Sequence, residues 1–338
     1  YVDAGIGGAV NFLEKRHGFL ARHVYSAALA GFAARLTAAQ IAELENDDLV
    51  EFVEPDGVMT ASAQTLPWGI NRVDADSSST AAGNGAGAVS NVNIYVIDTG
   101  VAPHADLYRV NHVTLIGGNN TDCQGHGTHV AGSIAARDNT SDVVGVAPGA
   151  PITGVKVLDC AGSGTTSGVI KGIDWVTANA KKPAVANMSL GGGASQALDD
   201  AVKRSVAKGI FYAVAAGNSG VDACTQSPAR LGTMNGVMTI GAIDSANNDP
   251  SWSNFGACVD IWAPGVSILS TNFAGGTVTM SGTSMASPHA AGAAALFLST
   301  HTTLSPALVE AQLKADAVAT GTFSNANQPI KRIDTRGY

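Results

Sequence analysis

From residue 68 onward the chain alternates two kinds of segment. Short, nearly continuous apolar runs rich in β-branched residues occur at 92–97 (VNIYVI), 152–158, 185–190, 210–215 and 237–243. Between them, residues 167–180, 196–208 and 284–300 repeat their apolar positions with the helical period. Strands apolar on both faces have no side to give to water, so this pattern predicts an α/β domain with a mainly parallel central sheet covered by helices on both faces. Ser305-Pro306 supplies an N-cap and first-position pair for one more helix.

The first sixty residues are patterned differently. Residues 8–16 have helical spacing, and 23–36 (HVYSAALAGFAARL) read as two short strands around a turn. Thr37 and Gln40 have the capping-box spacing and open a helix through Glu45, and 50–53 form a last strand. Small polar residues in VEPDGVMTASAQ, residues 53–64, suggest a linker. The expectation is a small α+β domain over 1–63 and a large α/β domain over 64–338, in keeping with a chain of 338 residues, since single cores rarely grow beyond about 250–300.

Composition narrows the function classes. Hydrophobic residues reach 45% and charged ones only 14%, with 40 glycines, as expected of an extensive core with many tight turns. The net charge of −8, without a Lys/Arg cluster, argues against nucleic-acid binding. No apolar run reaches the ~18 residues of a membrane span. No basic segment precedes an apolar one at Tyr1, so no signal peptide is expected in this sequence.

Candidate chemistry begins at DCQGHGTHVAG, which holds Cys123, His126 and His129 within seven positions. That spacing suits a metal, and it equally suits one catalytic imidazole. Asp98 follows the run at 92–97 and precedes Thr99-Gly100, at the carboxyl end of a buried strand. Active residues of parallel sheets gather there. In MSGTSMASPHAAGAAALF, Ser284 stands at the start of a helix, where backbone N–H groups favour developing negative charge. Individually these residues also read as a turn Asp and a helix-capping Ser. Together they occur in the order Asp, His, Ser, and the hydrolase elbow G-x-S-x-G is absent, with Ala286 at its second glycine.

The motifs IDTGV at 97–101, GHGTHVAG at 125–132 and SGTSMASPH at 281–289 resemble those of the subtilisin-like serine proteases, especially the branch containing proteinase K and aqualysin. The resemblance covers essentially residues 66–338, including VANMSLGGG and AVAAGNSG, and the first ~63 residues resemble that family's inhibitor-type propeptide. It implies a subtilisin-like three-layer fold and a secreted, monomeric endopeptidase acting on proteins and peptides, with its own propeptide as inhibitor. Asp98, His126 and Ser284 would form the triad, Asn218 would be the side-chain oxyanion donor, and His129 would be structural. Ser189, Leu190 and Gly191 with Ala215, Ala216 and Gly217 would wall the specificity pocket, and Gly162, Ser163 and Gly164 would offer an edge to the substrate strand. The four cysteines allow three pairings; the resemblance implies Cys123–Cys160 and Cys224–Cys258. It also implies structural calcium, at Asp260 with Val237 and at a second site formed by Asp74 and Asp76.

Two readings of other classes compete. A non-catalytic peptide binder would lack a triad or oxyanion residue, and none is lacking. A nucleotide-binding reading rests on Gly83-Asn-Gly85-Ala-Gly87, but this stretch precedes a strand, whereas a dinucleotide loop follows one.

Overall fold

The computed structural model describes residues 5–27, 29–56, 64–108 and 110–338. The chain divides into two compact units, Tyr1–Ala61 and Ser62–Tyr338. The expected boundary at 63/64 lies at the edge of residues 57–63, outside the described residues.

In the first unit, helix α1 (Gly5–His17), the antiparallel pair β1 (Ala21–Tyr25) and β2 (Gly31–Ala34), and helix α2 (Ala38–Glu45) follow in order. Thr37 and Gln40 make the reciprocal bonds of a capping box, so α2 starts where the spacing predicts. The core is Leu13, Phe19 and Leu44, with Val50 and Val53 packed against it. Residues 50–53 are not a strand. Their apolar alternation comes from covering Leu44 after the turn Val50 N→Asp47 O (2.9 Å), and the unit's sheet has two strands, β1 and β2.

The second unit opens with α3 (Trp68–Arg72) and continues through β3 (Asn93–Asp98), β4 (Asn111–Thr114), α4 (His126–Ala135), β5 (Ile152–Lys156), α5 (Thr166–Asn179) and β6 (Ala184–Met188). After the two-residue β7 (Gly192–Gly193) come α6 (Gln196–Ala207), β8 (Ile210–Ala215), β9 (Gln226–Ser227), β10 (Val237–Ile243) and β11 (Ile261–Pro264). A hairpin of β12 (Ile268–Thr271) and β13 (Thr277–Met280) precedes α7 (Thr283–Thr300), α8 (Pro306–Ala315), β14 (Val318–Phe323) and β15 (Pro329–Arg332).

Nine strands form the main sheet in the order β14-β15-β11-β10-β8-β6-β3-β5-β4. Every pairing is parallel except β14 with β15. From β3 the chain builds outward to β4 and β5 on one side and then to β6 on the other, so the strand order reverses around β3. Such a reversal leaves a crevice at the strands' carboxyl ends. One face of the sheet packs on α4 and α7, the other on α5 and α6. Strands β6, β8 and β10 are buried throughout, which is why each reads as an unbroken apolar run. Disulfides Cys123–Cys160 and Cys224–Cys258 close two loops of this unit.

Helix α7 is buried along nearly its whole length and contains Pro288. Proline has no N–H to give to the carbonyl four residues back. That carbonyl belongs to Ser284, and it accepts instead from Ser189 Oγ at 2.8 Å.

Two fully buried histidines lie in the layer formed by α4 and α7. His129 donates from Nε2 to the Ile268 carbonyl (2.9 Å) and His289 from Nδ1 to the Met285 carbonyl (2.9 Å). Their other ring nitrogens, His129 Nδ1 and His289 Nε2, have no partner. Burial pushes both pKa values down from 6.5 to about 4, so both rings are neutral in the folded protein at neutral pH. The unfolded chain therefore binds protons between pH 6.5 and 4 that the native state refuses. Stability is full above pH 6.5 and falls as pH drops toward 4, by up to about 3 kcal/mol per histidine. Denaturant midpoints measured from pH 7 to pH 4 should fall progressively; a flat profile across that window would contradict neutral burial of these two rings.

Candidate active site

Strand β3 delivers Asp98 to its carboxyl end with no solvent exposure. Oδ1 of Asp98 accepts from the Thr99 backbone N–H (2.7 Å), and His126 Nδ1 lies 2.8 Å from Oδ1 and 3.0 Å from Oδ2. The bond fixes the tautomer: Nδ1 carries the proton toward the carboxylate and Nε2 is left as the basic nitrogen. Burial pulls the His126 pKa down, but the charge of Asp98 and its hydrogen bond outweigh that, and the net shift is upward from 6.5.

The start of α4 holds the imidazole in place. Gly125 precedes His126 with φ +104°, a left-handed conformation that glycine adopts without strain. The orphan donors of the first turn converge on buried Asp122, whose oxygens accept from the N–H groups of Gln124, Gly125 and Thr128 and from Thr128 Oγ1 at 2.6–3.0 Å.

Ser284 sits in the first turn of α7. Its Oγ donates to the Ser189 carbonyl (3.1 Å) while Ser189 Oγ donates to the Ser284 carbonyl, so the two serines exchange hydrogen bonds across β6 and α7. Ser284 Oγ makes no hydrogen bond to His126 in this arrangement. Asn218, beyond β8, accepts through Oδ1 from Thr283 N and Thr283 Oγ1, both at 2.8 Å. With the Asn218 oxygen committed, its Nδ2 and the Ser284 N lie 3.4 and 3.7 Å from the point where a Cβ on Gly282 would stand.

His126, Ser163, Gly164, Ser189, Leu190 and Gly191 share the lining of one cavity of about 490 Å³. Gly162 lines it as well. Ala215, Ala216 and Gly217 are not on that lining; they follow the end of β8, where Gly217 N donates to Thr283 Oγ1 (3.0 Å).

The metal candidates fare differently. Cys123 is bonded to Cys160, His126 to Asp98 and His129 to Ile268, so the three do not converge on a zinc ion. At Asp260, Oδ1 accepts from Lys314 Nζ (2.6 Å) and Oδ2 from Thr239 N (2.8 Å). Burial raises its pKa to about 6 even so. A side-chain ammonium already answers this carboxylate, so the set does not fit calcium; Val237 lies in β10, two residues before Thr239. Asp74 pairs with Arg332 (2.8 Å), and Asp76 is an exposed turn residue, so that pair does not fit calcium either. Among the described residues no group of three or more His, Cys, Asp or Glu side chains could hold a metal.

A better oxygen set surrounds Gln64. Its Nε2 lies 2.6 Å from Arg137 O, 3.0 Å from Val143 O, and 3.4 Å from Ser141 O and Asn139 Oδ1, beside buried Asp106. Hard cations take such oxygens, and rotating the Gln64 amide would add Oε1. Sequence reading missed this cage because its donors are mostly backbone carbonyls; the only written signal is the polar loop DNTSD at 138–142.

Residues 89–331 match the Subtilase family and residues 12–62 the Peptidase inhibitor I9 family. The chain is 42% identical over 328 residues to alkaline serine exoprotease A of Vibrio alginolyticus, which covers 92% of this chain and 59% of that protein. It is 44% identical over 304 residues to an extracellular serine proteinase of Thermus sp. (strain Rt41A), covering 86% and 71%. Among solved structures, a cold adapted subtilisin-like serine proteinase superposes with a TM-score of 0.70 at 41% identity, over 80% of this chain and 98% of that one. An α/β sheet of this topology with these matches leaves one conclusion: the chain belongs to the subtilase family of serine proteases and carries an I9-type segment at its N-terminal side.

Proposed function

We propose that the chain is a secreted serine endopeptidase of broad specificity, with residues 1–63 as its propeptide and 64–338 as its catalytic domain. The observation that carries this is the buried Asp98–His126 pair at the carboxyl end of β3, with His126 lining the same cavity as Ser189, the residue that exchanges hydrogen bonds with Ser284. Ser284 Oγ releases the Ser189 carbonyl and attacks the peptide carbonyl as His126 Nε2 takes its proton. The oxyanion is met by the Ser284 N–H and Asn218 Nδ2. His126 then gives its proton to the leaving amine, and water repeats the sequence on the ester. Asp98 holds the tautomer and stabilises the imidazolium.

Exposed apolar side chains on the first unit, Leu20, Leu29 and Phe52, support its reading as a binding module that inhibits until removed. The cut would fall within residues 60–64. Ser284→Ala should persist as one uncleaved chain of 34.0 kDa, whereas Asn218→Ala should process itself slowly and lose roughly 10²–10³ in kcat. Efficient processing of purified Ser284→Ala without added protease would refute self-cleavage.

Calcium, where bound, would be held by the oxygens around Gln64, with Asp106 adding negative charge, and it would brace the loop without entering the chemistry. Chelator should then shorten the half-life at elevated temperature while leaving the initial rate at low temperature within about twofold. Immediate loss of activity in the cold would argue instead for a metal in the reaction.

The proposed pocket walls are uncharged and, except for Leu190, small: Ser189, Leu190, Gly191, Ala215, Ala216 and Gly217. They hold no partner for a buried charge, which would be costly to desolvate. Burying Leu or Phe there gains about 1.5–3 kcal/mol, roughly 10- to 150-fold in rate if kept in the transition state. In tetrapeptide substrates differing only at the acyl-side residue, Leu and Phe should give the highest kcat/KM, and a maximum at Arg, Lys or Glu would sink the assignment.

A further inference from the structure

Lys156 closes β5 and is only 2% exposed. Its Nζ donates to the Thr99 carbonyl (2.7 Å) and lies 3.3 Å from Cys123 Sγ. In the sheet register Lys156 stands opposite Asp98. Thr99, which it holds, makes two further bonds toward the site: its N–H to Asp98 Oδ1 and its Oγ1 from the Gly127 N–H (2.9 Å), next to His126 in α4. Cys123 adjoins Asp122, the acceptor for the first turn of α4. One buried ammonium therefore touches both segments that carry the Asp98–His126 pair.

Its charge has few partners. Among the described residues, the charged or titratable groups acting on Lys156 are Asp122, Asp159, Asp98 and, on β4, His112; those acting on His126 are Asp98, Asp122 and, one turn along α4, His129. Asp98 and Asp122 are buried carboxylates, and Lys156 is the buried cation beside them. Resting on the protease reading above, we propose that Lys156 is a positioning residue: it holds the Thr99 turn and, as counter-charge to Asp98 and Asp122, sets the pH at which His126 becomes a competent base. A positive charge beside Asp98 and Asp122 offsets the negative charge that favours the imidazolium of His126. Removing that charge must move the acid limb of activity to higher pH.

The test is the pH profile of kcat/KM for Lys156→Gln, which can still donate to Thr99 O but carries no charge, beside Lys156→Met and Lys156→Arg. The acid limb should rise by about half to one unit in the Gln and Met variants, roughly a three- to tenfold loss on that limb, and lie near wild type in Arg. An unmoved limb in folded Lys156→Gln, or failure of all three variants to fold, overturns the proposal. Active-site titration with a fluorophosphonate keeps the two claims separate: wild-type enzyme that does not label would mean that the protease reading itself had failed, whereas labelled variants with an unshifted limb would remove only Lys156 from this role.

Discussion

A carboxylate with no access to water must have its charge answered within the fold, and Asp98 sets that requirement for the second unit. An ionised carboxylate left unpaired in the interior costs several kcal/mol. Its oxygens are engaged by the Thr99 N–H and His126 Nδ1, which is possible only if β3 ends where α4 begins. The start of α4 depends in turn on Asp122, which gathers four donors, and on a glycine at 125 that can take φ +104°. The imidazole is thus held by bonds at both its ring and its helix.

On the serine side the constraint comes from proline. Pro288 leaves the Ser284 carbonyl without its helical partner in a helix that is buried along most of its length. Ser189 fills the gap and accepts the Ser284 hydroxyl in return, which ties the end of β6 to the first turn of α7. Asn218 joins the same turn through Thr283. Three segments far apart in sequence are locked together by four polar contacts, so the orientation of each group is set before any substrate arrives.

Charge is handled differently at Asp260. There the buried carboxylate is met by Lys314 from α8, with Glu310 also 3.2 Å from the same ammonium. The pair links α8 to the segment before β11. A lysine delivers one charge and three donors without a coordination shell, which is why an Asp whose sequence context suggests calcium need not bind it.

The buried strands and their helices were legible in the sequence because apolar runs and helical periodicity report burial directly: β6, β8 and β10 stand where their runs predict, and the capping signals at Thr37 and Ser305 open α2 and α8. Asp98 and Ser284 could be placed at a strand end and a helix start for the same reason. What the sequence could not carry is anything written in backbone oxygens or in partners distant along the chain. The short edge pairings of β4, β14 and β15 are only partly buried, so they lack a continuous apolar run. The alternation at 50–53 looked like a strand because covering Leu44 and pairing in a sheet place apolar residues alike. The cage at Gln64, the lysine on Asp260 and the exchange between Ser189 and Ser284 exist only once the sheet order is set, since each joins groups that local propensity never compares. Local sequence determined which segments are buried and where each begins; tertiary packing alone decided which buried polar group answers which, because that depends on distances no neighbouring residue can encode.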